Sequence, residues 1–427
     1  MLSLAQLVYV STCRCMSCAQ SSNLGIKLRL FWQMLCFFFM LYNILSFFTK
    51  KTLKFVSMSA VYIHIPFCKT RCIYCGFFST TSLAERERYV DAVCEELDSR
   101  REYLKGDPVD TVYFGGGTPS QLSVAHIRRI LDSVYYIYNV REGAEITMEG
   151  NPDDLTPEYL CQLHEAGINR LSMGVQSFDD ARLRFLHRRH DASQAVRAVM
   201  DAKHAGFDNI SIDLMFGFPG QTLNEWKADV QQALALDVQH ISAYSLMYDD
   251  GTLLSKMLDD GIVTEIDEEV SLQMYEYLVD ALTSAGYEHY EISNFCKPGR
   301  FSRHNSCYWR GVHYLGVGAG AHSYDGETRQ YNAESLADYF ARKEPITESL
   351  SQSQRYDEFV FTGLRTREGI SLSELRRFFG ESLLRYFMDN ADSHLREGRL
   401  EVEADRIKLT RKGVFVSNDV MSDLMCV

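Results

Sequence analysis

Between residues 61 and 246, short apolar strands alternate with longer amphipathic stretches, and six repeats of that kind leave few folds open. Strands are predicted at Val61–Phe67, Thr111–Phe114, Glu145–Glu149, Arg170–Val175, Asn209–Phe216 and His240–Leu246. Helices are predicted between them over 84–104, 121–137, 156–166, 192–205 and 222–235, and Thr222-Leu223-Asn224-Glu225 after Pro219-Gly220 is a capping box opening the last. Consecutive βα units of this length build a parallel sheet buried on both faces, curled into a partial or a closed eight-fold barrel.

Such folds place their sites at the C-terminal ends of the strands. The first strand runs into Cys68, Cys72 and Cys75, spaced C-x3-C-x2-C. Three thiolates on one loop hold three irons of a [4Fe–4S] cluster and leave the fourth open to a ligand. Core packing does not explain three cysteines among Lys69, Thr70 and Arg71, and a structural zinc site would pair the loop with a second short cluster, whereas no second Cys pair follows. The other strand ends carry Gly115-Gly116-Gly117-Thr118-Pro119, then Glu149, then Gln176-Ser177, and then Asp213 with Phe216-Gly217-Phe218-Pro219-Gly220. A triple glycine can be only a tight turn, and each polar residue can be satisfied locally. Their recurrence at equivalent positions points instead to one ligand-binding mouth, with bare backbone at the glycines and carboxylates for an ammonium or ribose hydroxyls.

The remainder divides the chain. Residues 1–57 hold six basic residues and no Asp or Glu, so the other residues carry −19 of the net −13 (−13 minus +6). The acidic balance argues against nucleic acid as a partner. Leu30–Phe48 is uncharged and long enough to cross a bilayer. The leader is therefore either a membrane anchor or sequence upstream of a native start at Met58. Residues 58–250 are expected as the barrel, 251–325 as an extension, 326–355 as a connector and 356–427 as a small, mostly helical, winged-helix-like domain. In the last, helices Leu372–Phe379 and Leu383–Arg396 precede a hairpin of Leu400–Val402 with Ile407–Leu409, and its 11 Lys/Arg against 13 Asp/Glu offer no basic surface for DNA. Gly316, Gly318 and Gly320 lack the spacing of a dinucleotide fingerprint. His304, beside Tyr308 and Trp309, reads on its residues alone as a histidine capping aromatic packing. Twelve cysteines without a disulfide-scaffold character suit a reducing compartment.

Together, Cys68-x3-Cys72-x2-Cys75 and Gly115–Pro119 resemble the radical S-adenosylmethionine (SAM) superfamily. Tyr62–Cys68, Arg170–Phe178, Asp213–Thr222 and the C-terminal domain bring the resemblance to its oxygen-independent coproporphyrinogen III oxidase-like branch, from about Met58 to Lys412. The dehydrogenases of that branch carry a further cysteine two positions after the third. Phe77 stands there in this chain, and His304-Asn305-Ser306-Cys307-Tyr308-Trp309 fits the H-N-x-x-Y-W motif of the haem chaperone (HemW) subgroup. The resemblance implies a partial (β/α)6 TIM-like barrel with a HemN-type C-terminal domain. It implies a [4Fe–4S] cluster on Cys68, Cys72 and Cys75. It implies SAM beside Tyr62, Tyr74, Gly116, Gly117, Thr118, Glu149, Gln176, Arg188 and Asp213. It makes His304, flanked by Asn305, Tyr308 and Trp309, the candidate iron ligand of haem. Without the resemblance, Arg188 reads as an exposed member of the basic run His187–His190. The function implied is a cytoplasmic haem chaperone serving haem-requiring apoproteins such as membrane-associated respiratory enzymes, with an electron donor for the cluster and dimerisation left open. The competing reading is a coproporphyrinogen-decarboxylating enzyme, and a third is a protein that binds SAM without cleaving it.

Overall fold

In the computed structural model, residues 58–426 are described; the leader and its apolar run at 30–48 lie outside them. Met58–Val427 is one compact unit. The predicted rhythm is present: β1 (Ser59–Ile65), α1 (Arg86–Ser99), β2 (Val109–Gly116), α2 (Val124–Ile137), β3 (Val140–Gly150), α3 (Pro157–Glu165), β4 (Arg170–Gln176), a short α4 (Asp180–Phe185), α5 (Ala192–His204), β5 (Ile210–Phe216), α6 (Leu223–Ala235) and β6 (His240–Ser245). Each helix in this series that begins at a Ser, Thr or Asp cap has its first free N–H groups satisfied there. At Thr222, both halves of the predicted capping box form with Glu225.

Strands β1 to β6 pair in sequence order, all parallel. Alternation sorts their side chains onto two faces. Val61, Ile63 and Ile65, like Leu171, Met173 and Val175, join the core under the helices. Tyr62 on β1 and Arg170, Ser172, Gly174 and Gln176 on β4 point the other way, into the barrel. The usual barrel interior is filled by branched aliphatic residues; here it is lined by polar ones around a cavity.

The barrel does not close. β6 is bordered by the antiparallel β8 (Asn294–Cys296) and β7 (Glu288–Glu291), which follow α7 (Leu253–Asp259) and α8 (Glu268–Ser284). On the other side β1 pairs in parallel with β9 (His313–Val317), reached after α9 (Arg303–Trp309). The glycine-rich stretch is this strand and its exit turn, where a Cβ on Gly316 would lie 2.0 Å from the His322 carbonyl oxygen. The stretch expected as a connector is more than that. β10 (His322–Tyr324), β11 (Thr328–Tyr331), α10 (Leu336–Phe340) and β12 (Ile346–Ser349) carry the sheet outward to twelve strands.

The last part packs its own core of Tyr356, Val360, Leu375, Phe387, Ile407 and Val420. It comprises α11 (Gln352–Leu364), β13 (Ile370–Ser371), α12 (Leu372–Arg396), a hairpin of β14 (Leu400–Glu403) with β15 (Arg406–Leu409), and two short terminal helices. The two helices expected before the hairpin are joined end to end in α12, with Gly380 at φ 85° forming the bend. A positive φ is open to glycine at little cost.

Candidate functional site

The cysteine loop is pinned before any ligand is considered. Ile73, between Cys72 and Cys75, is buried with Leu186, Met215, Phe218, Leu246 and Leu254, and Tyr74 packs against the same group. The Ile73 amide donates to the Leu186 carbonyl (3.3 Å), and the Leu254 amide donates to the Ile73 carbonyl (2.9 Å). At the loop entrance the Cys68 amide donates to Thr80 O (2.9 Å). Cys68 Sγ lies 3.3 Å from Thr118 Oγ1, and Arg188 Nη1 donates to Cys72 Sγ at 3.5 Å. All eight cysteines among the described residues are free thiols.

Behind the loop lies a cavity of about 600 Å³, lined by the three cysteines and by Tyr62, Tyr74, Gly116, Gly117, Thr118, Glu149, Gln176, Arg188, Asp213, His304, Asn305 and Tyr308. One space thus gathers every residue that the resemblance implied for the cluster, SAM and haem except Trp309, whereas Gly115, Ser177 and Phe216–Gly220 do not line it. Trp309 faces the C-terminal part, with the Arg365 guanidinium 5.0 Å from its ring centre.

Arg188 departs from the exposed basic run. It is half-buried, and Nη2 donates to Asn151 Oδ1 and to the Gly174 carbonyl, both at 2.6 Å. Gly174 is what permits this. A Cβ there would sit 2.8 Å from Gln176 Nε2 and 3.0 Å from Arg188 Nη2. Gln176 itself has φ 69°, a strained conformation for a non-glycine residue of the kind concentrated at binding sites. The glycine triplet has a packing reason of its own, since a Cβ on Gly117 would meet the Pro66 carbonyl carbon at 2.7 Å.

Glu149 accepts from Tyr113 Oη (2.7 Å) and from the Gly116 amide (3.2 Å). Burial nevertheless pushes its carboxyl up to about 7, and Asp213 is pushed up to about 6 by the same cause. The folded protein therefore holds a proton on Glu149 that the unfolded chain releases above about 4.5, so this contribution to stability is whole below that pH and lost as pH rises through about 7. The expected result is that the stability of the cofactor-free protein falls from pH 5 to pH 8, by about 3 kcal/mol for this residue, with a falling melting temperature. Glu149→Gln should flatten that part of the profile, measured by thermal denaturation across the range.

His304 is not at the mouth. It lies on α9, whose first amides, those of Arg303 and His304, donate to Glu145 at 3.1 and 3.0 Å. Its Nδ1 is 2.8 Å from Thr111 Oγ1, its Nε2 is 2.9 Å from Tyr308 Oη, and its ring stacks on Tyr113 at 4.8 Å. Thr111 is near the start of β2, about 16 Å of strand below Gly116. The histidine thus forms the floor of the cavity, with burial lowering its pKa to about 3 and both nitrogens engaged. Its capping of aromatic packing is what the structure displays. Tyr113, Arg170, Ser172, Ser242 and Tyr244 also line the space and were not singled out as site residues from sequence; Asn151, which follows the third strand, lines it too. The signal for Arg170 and Ser172 was present in β4, four and two residues before Gly174 on the inward face.

The donor set fits a cluster better than a single ion. Among the described residues, no three His, Cys, Asp or Glu side chains converge on one metal position. A cluster whose thiolates bind separate irons does not need them to. The guanidinium on Cys72 offsets thiolate charge, and the polar cavity beside the loop has room for a ligand of the open iron.

A twelve-stranded sheet with a parallel six-stranded partial barrel, a three-cysteine loop at its mouth and a polar interior defines the radical SAM class. The Radical SAM superfamily model matches residues 62–233, and the HemN C-terminal domain model matches 350–416. The solved structure of coproporphyrinogen III oxidase (HemN) from Escherichia coli superposes with a TM-score of 0.76 over 86% of this chain and 90% of that one, at 22% identity, and shares the fold. The heme chaperone HemW of Lactococcus lactis is 34% identical over 86% of this chain and 97% of its own length. That of Escherichia coli K12 is 38% identical over 62% and 69%. The zebrafish (Danio rerio) protein "Radical S-adenosyl methionine domain-containing protein 1, mitochondrial" is 30% identical over 86% and 87%. The chain belongs to the HemW family of the radical SAM superfamily. Membership in that superfamily implies a [4Fe–4S] cluster and SAM. No helix among the described residues is long and apolar enough to cross a membrane.

Proposed function

We propose that this protein is a haem chaperone, binding haem and passing it to haem-requiring apoproteins, respiratory enzymes at the membrane among them, from the cytoplasmic side. The observation that carries the reading is similarity over nearly the whole length of proteins named heme chaperones. Phe77 agrees with it: where the dehydrogenases have a cysteine, this chain presents a phenylalanine side chain to solvent at the cavity mouth.

Cys68, Cys72 and Cys75 would hold the cluster and Arg188 would brace Cys72. Thr118, Glu149, Gln176 and Asp213 would bind SAM, the two carboxyls being suited to its ammonium and ribose hydroxyls. A bound cluster with SAM supplies one-electron reductive cleavage to a 5′-deoxyadenosyl radical, given an electron donor. The chain's own contribution is to orient the ligands and exclude water. For haem, His304 would reach iron only by giving up Tyr308 at Nε2 or Thr111 at Nδ1.

The test is to incubate the anaerobically reconstituted protein with coproporphyrinogen III, SAM and reductant, and separately with haem. Haem binding without protoporphyrinogen IX is the expected result, and formation of protoporphyrinogen IX overturns the chaperone reading. Spectra of bound haem that are unchanged in both His304→Ala and Tyr308→Phe would remove His304 as the ligand.

A further inference from the structure

Arg170 opens β4 at the floor of the cavity and is 1% exposed. Its Nε and Nη1 have no hydrogen-bond partner, and among the described residues it forms no ion pair. Directly across the ladder on β3, Thr147 Oγ1 is also buried and unpartnered. Glu149 and Asp213 feel the charge of Arg170 without contacting it. The other guanidiniums lining the cavity are otherwise placed: Arg188 on Cys72 and Asn151, Arg189 on Asp153 and Asp154, and Arg71 exposed at the rim. A buried guanidinium without an acceptor is costly, and the planar fork matches a carboxylate.

A carboxylate reaching this cavity comes either from the methionyl end of SAM or from a tetrapyrrole propionate. The methionyl end belongs at the cysteine loop, and Arg170 is about 20 Å of strand below the end of β4. The cavity is also graded in polarity, with Phe77 (68% exposed) and Met247 (62%) at the mouth and the unpaired cation at the floor. A tetrapyrrole is graded in the same way, apolar across its face and anionic at one edge. We propose that Arg170, with the Thr147 hydroxyl beside it, anchors a propionate of a tetrapyrrole bound in the barrel. The proposal rests on the haem reading and adds the group that is recognised.

The test titrates the cluster-loaded full chain with haem and with haem dimethyl ester, in the wild type, Arg170→Gln and Arg170→Lys, followed by absorbance. The wild type should prefer haem to the diester by about 10- to 100-fold. Arg170→Gln should bring the ratio near one while still binding the diester, and Arg170→Lys should keep part of it. Affinity for SAM relative to decarboxylated SAM should not change between wild type and Arg170→Gln. Equal wild-type affinity for haem and diester overturns the propionate anchor and leaves the haem reading standing, with no dependence on how a variant folds. An unchanged ratio in Arg170→Gln with intact cluster absorbance also overturns it, as does a loss confined to the SAM ratio. A wild type that binds neither haem nor diester removes the haem reading and this proposal with it.

Discussion

Cys72→Ala is expected to abolish cluster assembly, taking iron after anaerobic reconstitution from about four atoms per chain to near none, with loss of the broad visible absorbance of the cluster. Cys72 is the middle thiol of the loop and the one that accepts from Arg188 Nη1. Alanine removes a ligand and leaves that guanidinium donor without its acceptor. The loop itself should survive, because it is held by the burial of Ile73 and by backbone hydrogen bonds to Leu186 and Leu254, none of which involves the thiol. The melting temperature of the cofactor-free variant should therefore stay close to wild type, since a half-exposed side chain away from the core changes stability little. Iron and sulfide analysis beside a melting curve separates the two effects. Full iron content in Cys72→Ala would remove Cys72 from the ligand set.

Glu291→Ala is expected to destabilise the protein by about 3–5 kcal/mol, the usual consequence of removing one partner of a buried ion pair. The Glu291 side chain is wholly buried at the end of β7, and Oε1 accepts from Arg365 Nε (2.9 Å) and Nη2 (2.6 Å). Its other oxygen accepts from the Ser293 amide at 3.0 Å and from Asn294 Nδ2. Arg365 follows α11, so this pair ties the C-terminal part to the sheet. Two backbone hydrogen bonds run beside it, Ile292 N to Arg365 O and Arg367 N to Tyr290 O. The freed guanidinium would remain over Trp309 and Phe361 with no carboxylate to pair with. Glu291→Gln keeps an acceptor and should cost less. Denaturant unfolding of the three proteins checks the order, and equal stability of wild type and Glu291→Ala would show the pair to be dispensable.

The site was legible wherever it hangs on local pattern. A strand that ends in a glycine or a carboxylate announces itself, and the positions of Glu149 and Gln176 near the ends of adjacent strands, with Asp213 in the middle of the next, follow from their spacing once the strands pair in order. Arg188 was ambiguous because its neighbours His187, Arg189 and His190 make a basic run. Its direction was decided by Gly174, fourteen residues earlier in the chain, whose missing Cβ leaves room for the guanidinium. For His304, the residues alone read as a histidine capping aromatic packing, and only the resemblance made it a candidate ligand. Its position was not legible, because α9 turns it under the barrel onto Thr111, which is 193 residues distant in sequence.

Sequence by itself determined the βα alternation, the loop of three cysteines, residues at the strand ends and the capping box at Thr222, because each depends on side chains a few positions apart. Only the tertiary structure decided that β9 borders β1 and leaves the barrel open. It also decided that His304 closes the cavity floor and that the Arg170 guanidinium stands inside the barrel without an ion-pair partner among the described residues. Those facts depend on which distant segments meet across the sheet, and periodicity along the chain carries no information about that.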